Sequence, residues 1–140
     1  MKEKKQSKDW YIAATHWLTA GFAVPFLVRL LVTLPLAFVV KNSELLVVSI
    51  YAVELLAIWL GVMYSAGYIN STYIIKDSDN IVKIATIYIV VVAFLNLMIS
   101  EISLINVVFL VTSIIIFNVA SKKYIHNTES ESVAESGISL

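Results

Sequence analysis

The sequence predicts an all-α, polytopic membrane protein, an antiparallel four-transmembrane-helix bundle with both termini cytoplasmic. Three observations predict it. Apolar residues make up 59% of the chain and charged residues 14%, and the mean hydropathy is +0.86, more apolar surface than a soluble domain of this length can bury. The apolar residues gather into four runs, each within the roughly 17 to 25 residues that cross a hydrocarbon core. The lysines, finally, sit almost entirely on one side of those runs.

The runs are 17–40, 45–68, 81–99 and 104–120, and together they form a single domain over 1–124. Their continuous apolarity excludes a barrel, whose strands alternate, and a helix satisfies its own backbone in lipid. The break Lys41-Asn42-Ser43-Glu44 is short enough to force its flanking helices into antiparallel contact. The next connection, Ile69 to Asn80, is longer, and its stretch Lys76-Asp77-Ser78-Asp79-Asn80 supplies an amino-terminal cap for the third helix. Ser100-Glu101-Ile102-Ser103 makes the last turn without Gly or Pro. One helix over 81–120 would instead be about 60 Å long at 1.5 Å per residue and would draw Glu101 through hydrocarbon. The Ser/Glu-rich stretch 125–140 has too little apolar surface to fold alone and is expected to be disordered.

Orientation follows from the lysines. Lys2, Lys4, Lys5 and Lys8, Lys76 and Lys83, and Lys122 and Lys123 share one side, and only Lys41 lies in the other connections. Such asymmetry predicts cytoplasmic termini and multi-pass insertion in the plasma (cytoplasmic) membrane. Trp10, Tyr11, Trp17, Tyr68, Tyr73 and Tyr124 fit an interfacial aromatic belt. The basic amino terminus followed by an apolar run has the order of a secretory signal. That run exceeds the roughly 7 to 15 residues of a cleavable core and contains Arg29, so an uncleaved anchor is expected.

Arg29 and Glu54 are the charged residues deep within the runs. Arg29 lies 12 residues before Lys41 and Glu54 13 after it, so a hairpin about that break brings them to one depth. Either charge alone would cost at least roughly 2.5–3.5 kcal/mol at the centre of the membrane, whereas opposite charges there stabilise each other. A fixed structural pair and a gating pair both satisfy this arithmetic. Pro25 and Pro35 each remove a donor and crowd the carbonyl four residues earlier, at Gly21 and Leu31, which predicts bends in the first helix. Thr15, Thr19, Phe22, Phe26, Arg29 and Thr33 recur on one face of that helix and are expected to look inward. On the second helix, Tyr51, Glu54, Ile58, Gly61, Ser65 and Tyr68 do the same, and Gly61 and Ser65 form a small-xxx-small pair that permits close approach. Asn96 lies five residues before Glu101 and Asn106 five after it, which predicts a polar interhelical contact worth roughly 0.6–2 kcal/mol.

Chemistry-bearing residues are sparse. The chain has no cysteine, which excludes disulfides, thiolate metal sites and cysteine nucleophiles. His16 and His126 are the only histidines and the four glycines do not cluster, so no catalytic constellation, metal site, cofactor site or phosphate loop is expected. His16 is read as an interfacial hydrogen-bonding residue. Asn70-Ser71-Thr72 matches a glycosylation acceptor but falls on the expected cytoplasmic side. A net charge of zero, with lysines spread among connections, argues against a nucleic-acid partner. The expected partners are the lipid bilayer and other membrane-protein subunits or a second copy of the chain. The reading that follows is a noncatalytic accessory or assembly subunit of a membrane complex; the alternative is a small oligomeric transporter or channel that uses the Arg29/Glu54 pair.

Overall fold

The structure is a computed structural model that describes residues 4–99 and 102–128. Ser100 and Glu101 of the expected third turn, and 129–140 of the expected tail, lie outside the described residues. Among the described residues four helices are long and apolar enough to cross a membrane: the first is Asp9–Val39, the second Ser43–Thr72, the third Ser78–Ile99 and the fourth Leu104–Tyr124.

Local chemistry sets their ends. Asn42 Oδ1 accepts from the Leu45 amide at 3.0 Å, Asp77 Oδ1 from the Asn80 amide at 3.0 Å, and Ser103 Oγ from the Asn106 amide at 3.3 Å. Each cap satisfies a donor that the first helical turn leaves open. The first helix begins at Asp9, eight residues before its apolar run, with the Asp9 carboxylate in its first turn, where the helix dipole favours negative charge. Lys122 and Lys123 occupy the last turn of the fourth helix, at the negative end.

The first helix changes form along its length. It is α-helical over Asp9–Trp17, a π-helix over Leu18–Ala23, and α-helical again over Val24–Val39. In the wide turn the Val24 amide donates to the Thr19 carbonyl, one residue further back than an α-helix reaches. Pro25, which has no amide hydrogen to give, follows at once. The loosened ladder therefore falls where a proline would break a regular one, and the helix continues through Pro35.

The helices pack unevenly. The first lies along the second and touches the third only through its amino-terminal half, while the second and third both pack on the fourth. The core contains Ile12, Ala13, His16 and Ala20 of the first helix, and no residue of Val24–Val39 is buried. The second helix is buried from Ala57 to Ile69, the third from Ile81 to Ala93, and the fourth from Ser113 to Ser121. The inward stripe of the first helix is thus Ile12, Ala13, His16 and Ala20, and the expected face of Phe22, Phe26 and Arg29 remains exposed. The physical reason is that close helix contact in lipid needs small side chains, which this helix places at Ala13 and Ala20.

One end of the bundle is sealed. The Lys5 amide donates to the Thr72 carbonyl at 2.9 Å and its carbonyl accepts from the Ile74 amide at 3.2 Å. Asn80 Nδ2 donates to Asp9 Oδ2 at 2.7 Å, and Asn70 Nδ2 to the Tyr124 carbonyl at 2.8 Å. Ile75 and Thr128 exchange two bonds, amide to carbonyl at 2.9 Å and amide to Oγ1 at 2.8 Å. The starts of the first and third helices and the ends of the second and fourth therefore share this end. Ile125 and Thr128 are buried there, so the folded unit runs beyond the boundary at 124 that composition suggests; backbone bonding to Ile75 orders what apolar content alone would leave loose. At the opposite end Phe38, Val39, Ile99, Ile102 and Leu104 are exposed.

At Gly61 the second helix crosses the first closely. A Cβ there would stand 3.0 Å from Ala20 Cα and 3.1 Å from the Ala20 carbonyl oxygen, while one at Gly67 would meet nothing. Gly61→Leu is expected to lower stability in detergent by about 1–3 kcal/mol through overpacking, and Gly67→Leu to change it by less than about 0.5 kcal/mol. Thermal melts of the two variants check this, and equal melting points would contradict the crossing.

Candidate functional site: a cavity at an ion pair

Where the first helix leaves the third, a cavity of about 310 Å³ opens, lined by residues of all four helices. The first helix contributes Trp17, Gly21, Pro25 and Arg29, with Phe22 and Phe26 beside them. Glu54 comes from the second helix, Asn96 from the third and Ser113 from the fourth. The remaining walls are aliphatic and aromatic.

Arg29 Nη1 stands 3.3 Å from Glu54 Oε1, and the two side chains are 63% and 12% exposed. The carboxylate is thus enclosed and the guanidinium faces outward. Pro25 lies on the cavity wall, and Pro35 lies further along the same helix, in the segment that contributes nothing to the core. Asn96 is exposed and also lines the cavity. Asn106 accepts a hydrogen bond from the Tyr51 hydroxyl at 2.6 Å, and the Tyr51 ring stacks on Phe109 at 4.5 Å and 18°. This contact ties the second helix to the fourth, a pairing that counting from Glu101 does not suggest.

Below the cavity, towards the sealed end, is a polar cluster absent from the sequence reading. His16 is fully buried; Nδ1 lies 2.9 Å from Ser65 Oγ and Nε2 2.8 Å from Ser121 Oγ. One imidazole therefore joins three helices, with the Phe117 ring 5.2 Å from its own. A serine beside an imidazole can be a nucleophile and its base; here both serines are buried with the histidine. The signal was available: His16 is one helical turn before Ala20, and Ser65 one turn beyond Gly61, so the crossing that joins Ala20 to Gly61 also joins the polar pair. Trp17 likewise turns inward, 5.9 Å from Tyr88, and Tyr73 is buried, whereas Trp10, Tyr11 and Tyr68 are exposed, as lipid-interface anchors are.

Asn118 Nδ2 donates to Thr86 Oγ1 at 2.9 Å, linking the third and fourth helices. Lys123 Nζ lies 5.6 Å from the Trp59 ring centroid and 5.3 Å from that of Tyr124. Among the described residues every buried side-chain nitrogen or oxygen has a partner, and no group of three or more His, Asp or Glu side chains gathers as metal ligands would.

Two substitutions separate the roles of these clusters. His16→Leu leaves both serine hydroxyls without their partner and is expected to cost about 1–3 kcal/mol, read as an earlier unfolding transition in detergent. Glu54→Ala strands an exposed guanidinium and is expected to cost less in detergent, where water reaches it, than in a bilayer; equal losses in both media would count against a membrane-embedded pair. No family model matches the chain, and no curated protein or solved structure is recognisably similar to it.

Proposed function

We propose that the protein is a noncatalytic, multi-pass protein of the cytoplasmic membrane that binds a solute in the cavity at Arg29 and Glu54 and lets it pass, as a small transporter or channel. In this reading the four helices are antiparallel and both termini are cytoplasmic. The lysine-rich connections and tails at the sealed end support that orientation. The observation that carries the function is that both mid-membrane charges line one cavity.

The pair also has the position of a latch. It ties the first helix to the second within Val24–Val39, a segment that buries no residue of its own. The segment packs mainly on the second helix and buries no side chain there, so opening the ion pair weakens the main interface that holds it. Opening widens the gap between the first helix and the third.

An accessory or assembly subunit is the second reading, favoured by the exposed apolar residues of the unsealed half, such as Leu34 and Phe38, which a partner's helices could cover. Reconstitution in liposomes distinguishes the two. The wild-type protein is expected to support ion or proton flux, and the double substitution Arg29→Glu with Glu54→Arg to fold normally but lose most of it. Normal flux in the exchanged protein would remove the ion pair from the transport route, and no flux from any protein together with a stable copurifying membrane partner would favour the accessory reading.

A further inference from the structure

We propose that the cavity takes an acidic amphiphile, a single apolar chain ending in a phosphate or carboxylate, which enters sideways from the bilayer. This assignment rests on the cavity being the working site.

The sign of the ligand follows from the unequal exposure of the ion pair. Glu54 is 12% exposed and Arg29 63%, so the charge that an incoming group meets is the guanidinium. Glu54 Oε1 engages Nη1, whereas a guanidinium carries five N–H donors in a planar fork. A phosphate or carboxylate matches that fork with two parallel hydrogen bonds. A cationic ligand would have to pass the guanidinium to reach an enclosed carboxylate.

The walls specify the rest of the molecule. Trp17, Ile89 and Val92 are apolar, and Phe22 and Phe26 stack with centroids 5.9 Å apart at 7°. Both phenylalanines are more than half exposed, so they form a flat rim at the mouth of the cavity, on the surface that lipid chains touch. The volume, about 310 Å³, lies at the low end of ligand pockets. A helix about 10 Å across would fill it with less than one 5.4 Å turn, so the site suits one flexible chain and not a partner's transmembrane segment.

Binding is coupled to opening by competition. The ligand's acid and the Glu54 carboxylate seek the same guanidinium, so an occupied cavity loosens the tie between the first and second helices.

Trp17 is a reporter already in the wall. A protein carrying Trp10→Phe and Trp59→Phe, in phosphatidylcholine vesicles, is titrated with dibromostearic acid, a dibrominated lysophosphatidic acid and dibromostearyl alcohol, and Trp17 fluorescence is followed. The acids are expected to quench saturably, with half-saturation at least about tenfold below the alcohol, as one charge-assisted hydrogen bond allows. The stronger of the two acids identifies the headgroup as phosphate or carboxylate. Arg29→Gln should abolish the advantage of the acids and Glu54→Gln should increase it. Equal quenching by alcohol and acids, which needs no variant to observe, would overturn the assignment, as would acid binding unaffected by Arg29→Gln. Arg29-dependent flux of small inorganic anions without acid-selective quenching would sink the amphiphile and leave transport standing. Acid-selective quenching with no flux would do the reverse.

Discussion

In a bilayer, which the four helices are long and apolar enough to cross, lipid chains solvate a leucine as well as another helix does, so apolar burial would not hold the bundle together in the way it holds a soluble core. What remains is close contact between backbones and hydrogen bonds between helices. Both converge at one crossing, where Gly61 lets the backbone of the second helix meet Ala20 of the first. One turn away, Ser65 meets His16, and His16 reaches on to Ser121 of the fourth helix. Without that close approach the imidazole would have no hydroxyl on the second helix within reach, and the first helix would lose its fixed place.

The same rule explains why the two halves differ. Towards the sealed end the facing positions are small, with Ala13, Ala57, Ala66, Ala85 and Ala120 all buried, and Lys5 and Thr128 are bonded to the connection after the second helix. Towards the other end the first helix carries large side chains, from Phe22 to Phe38; it keeps to the second helix there and parts from the third. The cavity is the space this leaves, and Arg29 and Glu54 lie where the first helix parts from the third.

The four helices were legible because membrane thickness sets a length that composition must meet, and the runs meet it. The level of Arg29 and Glu54 was legible because residue counts measure depth along a helix. Which face turns inward was less so. Hydropathy does not separate a residue facing lipid from one facing a helix, and the first helix buries Ala13 and Ala20 while larger residues stay outside. His16 was hidden for a related reason: near a helix start it reads as an interface residue, and its burial depends on how far the helix extends towards Asp9. The order at Ile125 and Thr128 comes from hydrogen bonds to Ile75, which composition cannot announce.

The wide turn at Leu18–Ala23 has a consequence for phase. Each residue of an α-helix advances its side chains by about 100°, and a turn that closes its hydrogen bonds one residue late carries an additional residue around the axis. Were the same residues wound there as a regular α-helix, everything downstream would swing by about that angle. Arg29 would then point away from the second helix, although nothing near it had been altered. The bearing of the guanidinium is thus stored upstream, as an extra step in a spiral.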